Sequence, residues 1–327
     1  MHARSCQVDR PGLTTPQQQI WHDALMDALS LTELQRLIAR HGRSDAEPLR
    51  DLPHVRLMTA VAPTQPFTHV CEPTFALVAR GIKRVGLNRT IFECAAGEYL
   101  IIPVDLPMDA HVVEATAQSP FLSFGLQMDP DAIATLLLET GTVVAQRNDV
   151  AGITVSDLTD DLIDAVVRLL RLLDRPADIP VLAPAIEREI LWRLINGQQG
   201  AMVRQIGLAN SRLAQISRAI RWIRAHYAET IRVEQLANTA GMSLTSFHRH
   251  FRIITSMTPI QYQKQIRLQA ARSRLVSAAE DVAQVGFNVG YDSPSQFSRD
   301  YRRLFGRPPG EDGKRLRQSG ERDSAVA

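Results

Sequence analysis

Two short clusters of hydrogen-bonding and cationic side chains stand out in the second half of the chain. They are Thr245, Ser246, His248 and Arg249, then Ser295, Gln296, Arg299 and Arg302. Arginine can fork onto the O6 and N7 atoms of guanine or clamp a phosphate, glutamine can fork onto adenine, and serine or threonine hydroxyls reach either. The competing reading is a solvated basic face whose arginines make intramolecular ion pairs. A second chemistry is suggested by Cys71 and Cys94, candidates for redox sensing. Reactive thiols need nearby cations, and Arg80, Lys83, Arg84 and Arg89 are close in sequence. The plainer reading is that both are small buried hydrophobes. A metal centre would need several His and carboxylate ligands on one ion. The β-rich segment offers only His69, His111 and Glu114, without a His-x-His pair, so neither metal nor cofactor is expected.

The elements that must position the two polar clusters are an internal repeat. Residues 233–242 followed by 243–251 match residues 282–291 followed by 293–301. Val233, Leu236, Gly241, Phe247, Arg249 and Phe251 correspond to Val282, Val285, Gly290, Phe297, Arg299 and Tyr301. The offset is 49 before the turn and 50 after it, so the second turn is one residue longer. Each copy reads as a helix-turn-helix. Ala237 and Gly286 supply the small residue where the helices cross, and Gly241 and Gly290 tolerate the positive φ of a tight turn. Ser243 and Ser293 are N-caps for the helices that follow. Phe247 with Phe251, and Phe297 with Tyr301, lie one helical turn apart and face inward, which turns the polar clusters outward.

Residues 210–310 resemble the DNA-binding domain of the AraC/XylS family of bacterial transcription regulators. The resemblance is carried by Leu236-Ala237, Ala240-Gly241-Met242-Ser243, Phe247-x-Arg249-x-Phe251 and Thr258-Pro259-x-x-Tyr262. The second half adds Val289-Gly290-Tyr291, Ser295-Gln296-Phe297-Ser298-Arg299 and Phe305-Gly306-Arg307-Pro308-Pro309. Gly286 and Phe287 depart from the more usual alanine and tyrosine. Asp300 is an acid on the second recognition helix, where it would alter which bases or phosphates are tolerated.

The remainder of the chain reads differently. From Asn210 to Arg317 there are 18 Lys+Arg against 8 Asp+Glu, a net of +10, while the rest of the 327 residues carries −8. A basic segment beside an acidic one suggests a polyanion-binding module joined to something else. No apolar run is long enough to span a membrane, and residues 1–15 lack the apolar core of a signal peptide, so a cytoplasmic protein is expected. Three cysteines do not suggest a disulfide scaffold.

Residues 1–15 read as a disordered leader and 16–41 as two short helices broken near 30–32. Seven strands are expected at 55–61, 74–80, 83–87, 90–94, 98–102, 108–114 and 121–127, enough for a small sandwich or barrel. This segment resembles the cupin-like N-terminal domain of one AraC subgroup, through Glu72-Pro73, Gly81-x-Lys83-x-Val85, Ala96-Gly97-x-Tyr99-Leu100 and Val104-Asp105-Leu106-Pro107. Amphipathic helices follow at 131–138, 157–173 and 184–195. In the family such helices pack on the sensor and mediate dimerisation, so the resemblance implies a homodimer. Residues 198–210 read as a linker, 211–227 as the first helix of the DNA-binding domain, 259–277 as the helix joining the two units, and 311–327 as a polar tail.

The fold class expected is α+β: a cupin-like β-barrel with flanking helices over residues 16–197, then an all-α domain with two tandem helix-turn-helix units over 211–310. The resemblance implies a transcription regulator, by default an activator, with promoter DNA and RNA polymerase as partners. A small-molecule effector or a redox signal would act at the N-terminal domain. The alternatives are a cupin-type metalloenzyme, which lacks its ligand cluster, and a DNA-repair methyl acceptor, which lacks its cysteine cluster.

Overall fold

Alternation of apolar and polar residues between Val55 and Gln127 places successive side chains on opposite faces, and the segment pairs into two antiparallel sheets. The computed structural model describes residues 30–44, 47–88, 90–141, 153–277 and 281–325, with side chains to residue 318. The expected leader and the first part of the helical stretch at 16–41 lie outside the described residues. Helix α1 is described over residues 30–41.

The strands are β1 (Val55–Ala60), β2 (Phe67–Cys71), β3 (Thr74–Arg80), β4 (Ile82–Leu87), β5 (Thr90–Ala95), β6 (Glu98–Ile102), β7 (Leu106–Glu114), β8 (Phe121–Gln127) and β9 (Val155–Asp157). One sheet has the order β1-β8-β3-β6-β9 and the other β2-β7-β4-β5. Two of these strands are absent from the seven expected. β2 is five residues long between Pro66 and Pro73, at a sheet edge, where proline is tolerated and the apolar pattern is weak. β9 is three residues long, too short to show a period.

Helices α2 (Pro130–Glu139), α3 (Asp160–Arg171), α4 (Ile179–Asn196) and α5 (Gly200–Gly207) follow. The helix expected to open at Pro184 begins five residues earlier and carries that proline inside it. The expected linker at 198–210 is mostly α5, with Val203 fully buried. Its glycines serve contact rather than flexibility. A Cβ on Gly207 would sit 2.6 Å from Ile133 Cγ2, and one on Gly200 would sit 2.2 Å from the Ile195 carbonyl oxygen.

The C-terminal helices are α6 (Arg212–Ala225), α7 (Val233–Ala240), α8 (Leu244–Thr255), α9 (Pro259–Ser277), α10 (Val282–Asn288), α11 (Pro294–Phe305) and α12 (Pro309–Ala325). The stretch expected as a polar tail is therefore largely helix. Asp312, at 0% exposure, pairs with Arg272 of α9 at 2.9 Å and accepts from the Tyr301 hydroxyl at 3.1 Å. One buried ion pair holds α12 on the second unit, and the overall polarity of the segment conceals it.

The β-domain and the helical domain share one apolar cluster and also touch through specific groups. Asp105, between β6 and β7, offers its backbone carbonyl to the Tyr262 hydroxyl at 2.8 Å and its carboxylate to Arg224 at 2.6 Å. Asn88, in the β4–β5 turn, donates to the carbonyl of Ser256, the C-cap of α8, at 2.8 Å. Arg272 lies over both Phe67 of β2 and Phe305 of α11.

Two outcomes are expected. Gly290 has φ +90°, and a Cβ there would lie 2.2 Å from the Ala228 carbonyl oxygen. Gly290→Ala should therefore cost about 2–4 kcal/mol in denaturant unfolding. Gly306→Ala, at φ +75° with nothing within 4 Å, should cost only about 1 kcal/mol. Equal losses at the two sites would remove the steric argument. Tyr262→Phe should cost about 1–2 kcal/mol, because it leaves the buried Asp105 carbonyl without its donor. Unchanged stability in the same assay would show that this carbonyl is satisfied in another way.

Candidate nucleic-acid interface

In the first unit α7 ends at Gly241, whose φ of +66° turns the chain, and Met242 N–H closes the turn on the Ala237 carbonyl at 2.9 Å. Ser243 caps α8 by accepting from Ser246 N–H. Phe247 and Phe251 are fully buried, with ring centroids 5.4 Å apart. Burial of each contributes roughly 1.5–3 kcal/mol and fixes the rotation of α8. That rotation leaves Thr245, His248 and Arg249 exposed and Ser246 half-buried at the cap. Arg252, outside the two clusters singled out by sequence, is exposed three residues beyond Arg249 on the same face.

The second unit repeats this local chemistry with a firmer start. Asp281 caps α10 with one carboxylate oxygen, which accepts from Ala283 and Gln284 N–H at 3.0 and 3.1 Å. Ser293 caps α11, and Phe297 and Tyr301 are fully buried. Gly286 is the crossing residue: a Cβ there would meet the Phe297 ring at 3.0 Å. Ser295, Gln296, Arg299 and Arg302 all stand exposed. Gln296, Arg299 and Arg302 border a shallow depression shared with Lys264, Asp300 and Arg303.

Asp300 lines the same depression without being exposed on it. It is buried at 8% exposure and pairs with Lys264 of α9 at 2.5 Å and Arg303 at 3.1 Å. Its charge is met by two cations of the same domain, and it stays beside Gln296, Arg299 and Arg302. Among the described residues, Arg249, Arg299 and Arg302 have no carboxylate within ion-pair distance, so the intramolecular role considered for Arg249 and Arg299 is not the one they adopt. Arg249 instead donates to Nε2 of His250 at 3.3 Å.

Helix α9 sets the two units relative to each other. The Arg267 guanidinium donates to the carbonyls of Tyr227 and Gly290, each at 2.6 Å, and of Glu229 and Ala228 at 2.9 and 3.3 Å. Gln263 adds Tyr227 at 2.9 Å and Glu229 at 2.6 Å. The loop after α6 and the turn of the second unit are thus tied to one face of α9.

The remaining candidates lie in the β-domain. Cys71 and Cys94 are both free. Burial pushes the Cys71 thiol up to about 11 against the pull of Lys83 and Arg56. Burial, with Glu98 adding to it, pushes Cys94 up to about 12. Both sulfurs therefore stay protonated near neutral pH, the opposite of an activated thiolate. His69 and His111 occupy positions of opposite parity relative to the register of β7 and face opposite sides of the sheet. The trio of His69, His111 and Glu114 is not brought together.

Two family models match the chain. The AraC-type transcriptional regulator N-terminus matches residues 51–202, and a helix-turn-helix domain matches residues 236–315. The HTH-type transcriptional activator RhaS of Escherichia fergusonii is 33% identical over 98 residues, covering 30% of this chain and 35% of that protein. RhaS of Salmonella agona is 29% identical over 156 residues, covering 46% and 54%. The chain thus spans about half the length, or less, of these curated relatives. Among solved structures, a ToxT variant from Vibrio cholerae covers 80% of this chain and 98% of its own at a TM-score of 0.51 and 8% identity, a likeness of fold.

A pH dependence follows from the buried imidazoles. Burial, then the charges of Arg249 and Arg212, lowers the pKa of His250, and burial, then Lys83, lowers that of His69. The unfolded chain takes up these protons first, near the ordinary histidine value of about 6.5, so stability falls as pH drops below it. The melting temperature should be lower at about pH 5.5 than at about pH 7.5, and His250→Gln should reduce the difference. A higher melting temperature at the acidic end would contradict the sign.

Proposed function

This chain belongs to the AraC family of transcription regulators, and on that premise we propose that it is a cytoplasmic, effector-controlled activator that binds promoter DNA through both helix-turn-helix units. The family is one of regulators rather than enzymes, and DNA is the ligand its helix-turn-helix domain implies. The observation that carries the residue assignment is the exposed, uncompensated charge of Arg249 and Arg299 at equivalent positions of α8 and α11.

Arg249 and Arg299 would read guanine or clamp phosphate. Thr245, His248, Ser295 and Gln296 would reach neighbouring base edges, and Ser246, Arg302 and the newly exposed Arg252 would hold the backbone. The 19 residues of α9 span roughly 28 Å at 1.5 Å per residue. That is near the pitch of B-DNA, about 34 Å, which suits insertion into successive major grooves.

Activation through contact with RNA polymerase is supported by the printed names of the RhaS relatives, which are activators. A homodimer is supported by the resemblance of the helices after the barrel to those that pair in the family. Of the two signals considered, a small molecule is favoured over redox chemistry, because both thiols are held protonated.

The test is footprinting on DNA upstream of the chain's own gene and its neighbours. A salt-sensitive footprint over successive major grooves is expected. Arg299→Ala should weaken specific binding by about 1–3 kcal/mol and relax preference at one position. An unchanged isotherm with unchanged sequence preference would remove Arg299 from the interface.

A further inference from the structure

The depression beside α11 gathers charges of both signs. Lys264 of α9 and Arg299, Arg302 and Arg303 of α11 line it, and Asp300 lies among them, so four cations surround one carboxylate. Arg302 and Arg303 stand three and four residues beyond Arg299, which puts all three on one side of α11. The residue assignment for DNA uses Arg299 and Arg302. It leaves Lys264, Arg303 and Asp300 without a part.

Those three residues hold one another. The Asp300 carboxylate meets the Lys264 ammonium at 2.5 Å through Oδ2 and the Arg303 guanidinium at 3.1 Å through Oδ1. The acid's side chain is only 10% exposed, while those of Lys264 and Arg303 are 32% and 74% exposed. The two cations therefore reach solvent and their counterion does not. A charge withdrawn in this way is screened by salt less than one at the surface. A phosphate approaching the depression meets two cations already neutralised from beneath.

Two roles are open to such an acid, and they differ in sign. If Asp300 only fixes the rotation of α11, its loss loosens the recognition helix and weakens DNA binding. If it holds positive charge away from phosphate, its loss adds contacts and strengthens binding. The rotation has other determinants. Phe297 and Tyr301 are fully buried with ring centroids 5.6 Å apart, and the Tyr301 hydroxyl donates to Asp312.

We propose that Asp300 limits the affinity of this protein for DNA, as an internal counterion that withholds Lys264 and Arg303 from the phosphate backbone. The proposal rests on the reading of the chain as a DNA-binding regulator. It adds a residue that sets how strongly the domain binds rather than which sequence it prefers. Each cation freed to meet a phosphate displaces condensed counterions, which steepens the fall of log K with log salt by about 0.9. That contribution carries no sequence information.

The experiment titrates the full chain, wild type and Asp300→Asn, by fluorescence anisotropy over a range of salt. One duplex carries the site footprinted upstream of the chain's own gene, and the other has a scrambled sequence. The amide nearly matches the carboxylate in shape and keeps an oxygen acceptor, so the main change is the charge. Asp300→Asn should steepen the salt slope by about 1–2 and tighten binding about tenfold at roughly 0.1 M salt, equally on both duplexes. Weaker binding, an unchanged or shallower slope, or a gain confined to one duplex would overturn the proposal.

Arg303→Ala, at an exposed position, covers the case in which Asp300→Asn does not fold. In the otherwise unaltered chain it should change the slope by less than about 0.4, because Arg303 is engaged with Asp300 and not with phosphate. A larger loss would show that Arg303 already meets the backbone, and would overturn the withholding role. Footprinting of the same preparations separates this proposal from the regulator reading. A footprint with an unchanged slope in Asp300→Asn removes the counterion role and leaves that reading standing. A steeper slope on the scrambled duplex with no footprint upstream does the reverse.

Discussion

The arrangement of the DNA-facing surface depends on one guanidinium. Arg267 gathers four backbone carbonyls, three from the loop after α6 and one from the turn of the second unit. Carbonyls beyond a helix C-terminus lack intrahelical donors and carry partial negative charge. A fork of five donors satisfies several at once, where a lysine ammonium would offer three without fixed geometry. The helix that carries Arg267 also carries Lys264, which holds Asp300 of α11, and Arg272, which holds Asp312 of α12. The rotation of α11, and with it the outward direction of Arg299, is therefore set from α9 by charge as well as by the aromatic residues beneath.

The same helix joins the DNA-binding part to the β-domain. Tyr262 reaches the Asp105 carbonyl, and Arg272 spans Phe67 and Phe305. Asn88 adds a contact at the end of α8. These contacts sit on an apolar base, since Leu106 and Met108 of the β-domain belong to the same buried cluster as Phe251, Met257 and Tyr262. The β-domain and the recognition helices are therefore joined by short, identifiable contacts over a shared apolar cluster.

What was legible in the sequence and what was not divides along the range of the interactions. The caps Ser243 and Ser293, the turn glycines and the inward aromatics are governed by residues within one or two helical turns, and the repeat displayed them twice. The side to which Asp300 points was not legible, because it is decided by Lys264, 36 residues earlier. The helicity of 309–325 was hidden for the same reason, since Asp312 is held by Arg272 from another helix. Residues 198–210 read as a linker, yet Gly200 and Gly207 mark close approach, which only the packed neighbours reveal. β2 was missed because an edge strand needs only one partner and carries little apolar signal.

The unequal faces of the five-stranded sheet carry a consequence for how such proteins diversify. Substitutions at Leu57, Phe75 or Leu77 touch the side on which folding depends, and each would leave a void or a clash. On the opposite face Val78, Leu100 and Ile102 are buried while Arg56, Ala76 and Gly125 keep partial exposure, so substitutions at the latter three should cost less. Sequence drift in this sheet should therefore collect at its half-buried positions, while the fully buried ones act as the fixed record of the fold.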